Sequence, residues 1–418
     1  MKNMTLERIT EVCGGVYYGS EADKKKEIAG AVIDSRQVES GYLFIAVKGE
    51  KVDGHQFIPQ VFEKGALAVL SEQELSEPAG PYIRVESTLG AMKKLAAYYR
   101  RSLDIKVVGI TGSVGKTSTK EMIASVLSQK YNVLKTEGNF NNEIGLPLTI
   151  FKIREQHEVA VLEMGISEFG EMHRLAEMAY PDICVITNIG LCHLENLLTR
   201  DGILKAKTES FEHLTPEGTA VLNGDDDKLS TKKEVNGKPV IFYGVGADSA
   251  FDIKKDIYAT DIENHGLEGM RAKIHTPQGD FDAQIPIPGE HNVYNALAGT
   301  AVGLQLGLSI REIAQGIASV QTIAGRTNLL HVKGMTVIDD CYNANPVSMK
   351  ASIDVLAHTS GRRIAVLGDM GELGAEEKEL HRSIGKAVAA SGIDALFCAG
   401  TLAEEYANEA KANPECEV

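Results

Sequence analysis

Short apolar runs alternate along this chain with longer segments in which apolar residues return every three or four positions. The runs predict buried strands, the wider spacing predicts amphipathic helices, and their regular succession predicts α/β layering. Over the first hundred residues "YLFIAV" (42–47) is a clear strand within a small α/β unit. A basic, Tyr-rich helix, "MKKLAAYYRR", leads from there into Val107. Between Val107 and about residue 320 the pattern predicts a doubly wound domain with three strong strands: "VVGIT", "VAVLEMG" and "DICVITNIG". Residues 245–288 change character, with strict alternation and the turn pairs "HG" and "QG" predicting an antiparallel insert. "AGRTNLL" marks a further boundary, after which "MTVIDD" and "RRIAVLGDM" are expected as buried strands separated by a helix near 347–358. The expected units are 1–103, 104–325 and 326–418.

At 418 residues the chain exceeds one ordinary core. A formal charge of −15 argues against long nucleic acids and anionic membranes as partners, while leaving room for a local phosphate pocket. The six cysteines include no Cys-x-x-Cys pair, so reduced thiols in a cytoplasmic protein are expected. There is neither an apolar signal core near residue 1 nor a run long enough to span a membrane.

The chemistry begins at Gly112-Ser113-Val114-Gly115-Lys116-Thr117-Ser118, between a strand-like run and an amphipathic segment. Backbone N–H groups in such a turn, with the following helix N-terminus, suit phosphate oxygens. Lys116 would reach the β- and γ-phosphates of ATP, and the Thr117 hydroxyl would face Mg²⁺. Glu163 ends another apolar run, where a carboxylate is placed to meet metal, and a solvated charge is an equal reading. His193 follows a third run, and on its own a structural histidine is the more ordinary reading. Asp225, Asp226 and Asp227 read as a solvated turn and are left out of the site.

Taken together, the cradle, "LEMG", "NIGLCHLE", "AKTESF", "GEHNVYNALAG" and "AGR" occur in an order that resembles the Mur ligases, ATP-dependent amide-forming enzymes of peptidoglycan precursor synthesis. Three further stretches, "GNFNNEIGLPLT", "DDCYNANPVSMKA" and "VLGDMGELG", resemble the D-alanyl-D-alanine-adding branch of that family. "DSRQVESGYLFIAVKGEKVDGHQF" (34–57) resembles a UDP-sugar-binding domain. The resemblance implies three α/β domains, for UDP-sugar, for ATP in a central P-loop fold, and for the incoming dipeptide. It implies ATP and Mg²⁺ as cofactors, UDP-N-acetylmuramoyl-tripeptide and D-alanyl-D-alanine as partners, and a monomer. Folylpolyglutamate synthetase is the rival enzyme, but it lacks a domain like residues 30–57; a GTPase switch would need an Asn-Lys-x-Asp, which does not occur.

The same resemblance assigns residues. Thr117 and Glu163 would hold one Mg²⁺, and His193 with a carbamylated Lys207 a second. Asn292 and Asn295 match the adenine-side segment, Arg326 an arginine turned toward ATP, and Asp340 an acid near the ribose. Ser35, Arg36, Asp53, Gly54 and His55 would hold the uridine diphosphate. Asn139, Asn141 and Asn142 would face the muramoyl peptide, and Tyr342, Asn343 and Asn345 the dipeptide. Helix capping and surface-turn chemistry compete with each of these lesser assignments. The family's late Lys-Gly-Ser-Arg segment does not occur before the final "NPECEV", so the last strands of the third domain are expected to be missing.

Overall fold

Alternation inside the apolar runs builds the central layer. Val108 and Ile110, Val159 and Val161, and Ile183 and Val185 share one buried core with Met122, Ile123, Val126 and Leu297. The intervening Val107, Ala160, Leu162, Cys184 and Ile186 lie in a second core with Leu95, Leu146, Met172 and Leu175. Successive strand residues point to opposite faces, so each run is apolar throughout because helices cover both sides.

The computed structural model describes all residues, 1–418. Strands β1–β5 (Val16–Tyr18, Ala31–Val32, Leu43–Ile45, Ala68–Ser71 and Tyr82–Arg84) form a five-stranded sheet ordered β1-β5-β4-β3-β2. The central sheet holds β6 (Lys106–Thr111), β7 (Val133–Lys135), β8 (Val159–Glu163), β9 (Ile183–Ile186) and β10 (Thr219–Asn223). After a two-residue ladder of β11 (Glu234–Val235) and β12 (Lys238–Pro239), it continues with β13 (Ile241–Val245), β14 (Ile257–Asn264), β15 (Met270–Thr276) and β16 (Gly279–Ile285). Its order is β16-β15-β14-β13-β10-β9-β6-β8-β7. The chain leaves β6 toward β7 and β8 on one side, then returns to β9 on the other. A ligand crevice is expected outside the carboxyl end of β6, at that switch.

The helix Thr88–Arg101 joins the two sheets. Its Met92, Leu95 and Tyr99 belong to the same core as Leu43 and Ile45 of β3 and as Leu162 of β8. The Tyr99 hydroxyl donates to the Ile153 carbonyl (2.7 Å), and Arg100 Nε donates to the Ala179 carbonyl (3.0 Å).

Two expectations change in form. The 245–288 stretch is antiparallel, but it extends the central sheet: β14 pairs in parallel with β13 through Tyr243↔Ile257, and β15 and β16 follow as antiparallel neighbours. The strands expected to be buried after residue 326 are only partly so. β17 (Asn328–Val332) and β18 (Met335–Asp339) make an isolated hairpin with Leu330, Met335 and Val337 exposed. β19 (Ile364–Gly368) pairs with β20 (Ala395–Ala399); the paired Ala365 and Leu396 are buried, whereas the paired Val366 and Phe397 are 72% and 59% exposed. Apolar content predicts burial on both faces, but the local core of Met349, Ile353, Ile384, Val388 and Tyr406 receives only one face of this pair.

All six cysteines are free. No helix is long and apolar enough to cross a membrane.

Candidate active site

The cradle lies at the carboxyl end of β6, where the helix Lys116–Leu127 begins. Gly115 precedes that helix in the left-handed region (φ +81°), no side chain caps the first turn, and no acid stands in it. Its leading N–H groups, aided by the helix dipole, favour an anion there. Lys116 Nζ donates to the Gly112 carbonyl (2.9 Å), folding the ammonium over the turn. The turn is braced from the end of β9. Val114 N–H donates to Asn188 Oδ1 (3.0 Å), Asn188 Nδ2 donates to the Val114 carbonyl (3.0 Å), and the Thr187 hydroxyl donates to the same carbonyl (2.6 Å).

Gly112 carries the tightest constraint. Its φ is +149°, and a Cβ would lie 1.9 Å from Thr187 Oγ1. Gly112→Ala should therefore displace the brace and lose about 1–3 kcal/mol of stability, from strain and overpacking. ATP affinity should fall with it. Thermal unfolding and nucleotide titration check both effects, and an unchanged variant would contradict the geometry.

Two groups of side chains flank the cradle. On the β8 side, Glu163 is 2% exposed; its Oε1 accepts from Asn141 Nδ2 (2.8 Å), while Oε2 has no hydrogen-bond partner. Lys120, itself buried, lies 3.9 Å from that oxygen and donates to the Thr136 carbonyl (2.6 Å). On the other side are His193 and Lys207. His193 sits in the left-handed region (φ +52°) at the start of the helix Leu194–Leu197, an uncommon backbone state for a side-chain-bearing residue. Its Nδ1 lies 2.7 Å from Glu372 Oε2, at an angle that makes no hydrogen bond. Burial lowers its basicity, Glu372 opposes that, and the charges of Lys207 and Lys116 lower it further.

Lys207 closes this side. It belongs to the helix Arg200–Thr208, is fully buried, and its Nζ has no partner. Burial is the main cause that brings its pKa down to about 8, with Lys116 adding to the effect and Cys192 opposing it. Lys116, His193 and Lys207 thus lie within reach of one another's charge, whereas Glu163 stands apart with Asn141 and Lys120. Magnesium prefers oxygen ligands. The free Oε2 of Glu163 and the hydroxyl of the buried Thr117 fit that preference; an imidazole and a bare amine alone would not.

The remaining candidates fall into three places. Asn292 and Asn295 are buried at 2% and 6%, and their amides are engaged: Asn292 donates to the Pro288 carbonyl, Asn295 to Asn292, and the Thr119 hydroxyl to Asn295 Oδ1. They clamp the helix His291–Gln305 onto the cradle helix. At the next junction the Arg326 guanidinium lies 4.3 Å over the Tyr342 ring. Asp340 there accepts from Thr327 N–H (3.1 Å) and from the Ser352 hydroxyl. Asn343 is exposed, and Asn345 caps the helix Pro346–Ala357 through Val347 and Ser348 N–H.

In the first sheet, the turns holding Ser35 and Arg36 and Asp53 to His55 follow the carboxyl ends of the parallel neighbours β2 and β3. Ser35 is buried, and the exposed Arg36 pairs with Asp34. His55 Nε2 accepts from Glu72 N–H (3.1 Å), so its proton is on Nδ1, which donates to Asp53 (2.6 Å). Gly54 is closely approached by the Val47 backbone, 2.8 Å from a Cβ position. Asn139 is exposed, and Asn142 Oδ1 accepts from Ile144 and Gly145 N–H (3.1 and 2.8 Å) in the turn that leads into the next helix.

Sequence reasoning passed over several participants. Asn188 was visible only as the first residue of "NIGLCHLE". Glu372 is far away in sequence and carried no metal-like spacing. The aspartate run is not a solvated turn. Asp225 meets the buried Lys255 at 2.5 Å and accepts from Val245 N–H, Asp226 accepts from Ile189 N–H, and Asp227 pairs with Arg200. Consecutive acids look solvated until the fold brings a buried lysine and unpaired N–H groups to them.

Comparison with known proteins agrees with this arrangement in its order along the chain. Residues 27–100 match "Mur ligase family, catalytic domain", 110–303 match "Mur ligase middle domain", and 325–418 match "Mur ligase, glutamate ligase domain". The UDP-N-acetylmuramoyl-tripeptide–D-alanyl-D-alanine ligase of Bacillus subtilis is 38% identical over 96% of this chain and 86% of its own. Among solved structures, MurF from Acinetobacter baumannii superposes with a TM-score of 0.89 at 33% identity, covering 99% of this chain and 89% of that one. MurF ligase from Thermotoga maritima, in complex with ADP, gives 0.79 at 32% identity over 90% of this chain and 86% of that one. The phosphate cradle, the flanking groups and the three successive matches lead to one conclusion: the chain belongs to the Mur ligase family.

Proposed function

We propose that the chain joins D-alanyl-D-alanine to UDP-N-acetylmuramoyl-tripeptide with conversion of ATP to ADP and phosphate, a step of peptidoglycan precursor synthesis. The observation that carries the reading is a phosphate cradle flanked by a buried, half-satisfied Glu163 on one side and by His193 with Lys207 on the other. The name of the B. subtilis relative supports the substrates, and the ADP complex of the T. maritima relative supports the nucleotide.

The tripeptide's terminal carboxylate is a poor electrophile. Attack of its oxygen on the γ-phosphorus of ATP forms an acyl phosphate as the bond to ADP breaks. The dipeptide amine then attacks the acyl carbon, loses a proton, and expels phosphate. Lys116 and the N–H groups of Gly115 to Thr117 would hold the transferring phosphoryl charge. Bound Mg²⁺ would supply further charge neutralisation, held by Thr117 and Glu163, with His193 and a carbamylated Lys207 at a second position. Asn141 would orient Glu163, and Asn188 would keep the cradle in shape.

Three units go with this reading: 1–103 for UDP-sugar, through Ser35, Arg36 and the Asp53 turn; 104–325 for ATP; and 326–418 for the dipeptide, through Tyr342 and its neighbours. A cytoplasmic monomer suits the soluble substrates. An isotope test addresses the chemistry. Tripeptide labelled with ¹⁸O in its terminal carboxylate should deliver label into inorganic phosphate, detected by mass spectrometry. Phosphate free of label would rule out the acyl phosphate.

A further inference from the structure

On the outer side of the central unit, the helix Glu171–Ala179 packs against the turn Glu209–His213, which directly continues the Lys207 helix. Three donors converge there. His173 Nδ1 lies 2.8 Å from Glu212 Oε2 and 3.2 Å from His213 Nε2, and all three donor atoms lie within 4.8 Å of one another. The two rings meet edge to face with centroids 4.4 Å apart. Glu212 and His173 are exposed and His213 is half-buried, so the cluster is open to solvent.

Hydrogen bonding among the three side chains has few protons to share. The carboxylate can only accept, so a hydrogen bond to it needs the proton on His173 Nδ1. That same proton is then the nearest one for the His213 Nε2 lone pair, and a proton on Nε2 instead would face the N–H of His173. One hydrogen serves three electron-rich atoms. A divalent cation at their centre would satisfy all three. Ligands about 2.0–2.1 Å from a tetrahedral zinc ion stand roughly 3.3 Å apart, near the 2.8 and 3.2 Å of the two pairs that include His173, with the third pair within 4.8 Å. Burial and the neighbouring His173 hold His213 below its ordinary basicity, opposed by Glu177 and Glu212. The neutral imidazole is the form that ligates.

We propose that His173, Glu212 and His213 form a surface site for a borderline transition-metal cation, Zn²⁺ or Ni²⁺ by ligand type, with a solvent-facing fourth position. Two imidazoles and one carboxylate select such ions over Mg²⁺, which prefers oxygen. The site differs from the cradle-side magnesium positions in both residues and chemistry. Bound metal would clamp the helix Glu171–Ala179 to the segment that carries Lys207. Glu209 already links the same elements by accepting from Gly170 and His173 N–H.

Equilibrium dialysis of the full chain against Zn²⁺, in excess Mg²⁺ and with the exposed thiols of Cys341 and Cys398 alkylated, tests this. One more Zn²⁺ per chain should bind to the wild type than to H173Q/H213Q, with at least a tenfold loss of affinity in H213Q alone. Co²⁺ should give visible d–d bands in the wild type that the double variant loses. Circular dichroism should show both variants folded, since the positions are solvent-accessible. Equal Zn²⁺ stoichiometry and affinity in wild type and variants, or cobalt bands that persist without the two histidines, would overturn the site.

Discussion

Lys116→Ala should slow ligation by at least about 10²-fold while leaving UDP-tripeptide binding intact. The expected loss is the removal of one fixed cation from a phosphoryl group whose charge is spread over its oxygens in the transition state. Little stability goes with it, because the ammonium makes only one hydrogen bond, to the Gly112 carbonyl within its own turn. The turns proposed for the uridine diphosphate follow strands of the five-stranded sheet, whereas Lys116 follows β6 of the central sheet. Steady-state rates and calorimetric titration with UDP-tripeptide separate the two effects. Near wild-type turnover would remove the cradle from the mechanism, and loss of tripeptide affinity would show that the two sites are not independent.

Lys207→Ala should lose most activity and recover part of it when short-chain carboxylates are added. A fully buried amine without a hydrogen-bond partner is costly as an ammonium. Its pKa of about 8 lies below that of a free lysine, so the neutral amine is the minor form at pH 7 and the major form above pH 8. The neutral amine is the species that adds CO₂. Carbamylation should accordingly rise with pH through about 8, and activity after CO₂ depletion should fall more steeply at low pH. The carbamate would replace a cation with anionic oxygen next to His193, giving that side of the cradle the ligand type magnesium prefers. Lys205 provides the control: it lies nearby on the same helix, with its ammonium 6.0 Å over the Phe169 ring, and Lys205→Ala should stay active. Full activity of Lys207→Ala without carboxylate would exclude the carbamate.

The parts of the molecule legible in the sequence were those set by local pattern. The runs at 107–111, 159–163 and 183–186 read as central strands because they are apolar on both faces up to the terminal Thr111 and Glu163, and the Gly112–Thr117 turn reads from its glycines, Lys116 and Thr117 set between a strand and an amphipathic helix. Partnership was not legible. Nothing local distinguishes Val366, exposed on β19, from Val161, buried on β8; the difference is which faces helices cover. Asn292 and Asn345 illustrate the reverse problem. One clamps two helices and the other caps one, roles that depend on a carbonyl or N–H brought close by the fold. Glu372 met His193 across nearly half the chain, beyond any spacing rule.

Phosphate release by the purified chain, measured together with the UDP-linked product, is the most direct test of the proposed activity. With ATP, Mg²⁺, D-alanyl-D-alanine and UDP-tripeptides ending in lysine or in meso-diaminopimelate, sustained release should require the dipeptide and one of the two tripeptides. Each phosphate should be matched by one UDP-N-acetylmuramoyl-pentapeptide in the mass spectrum. Sustained release without the dipeptide, or no pentapeptide from either tripeptide, would contradict the ligase assignment.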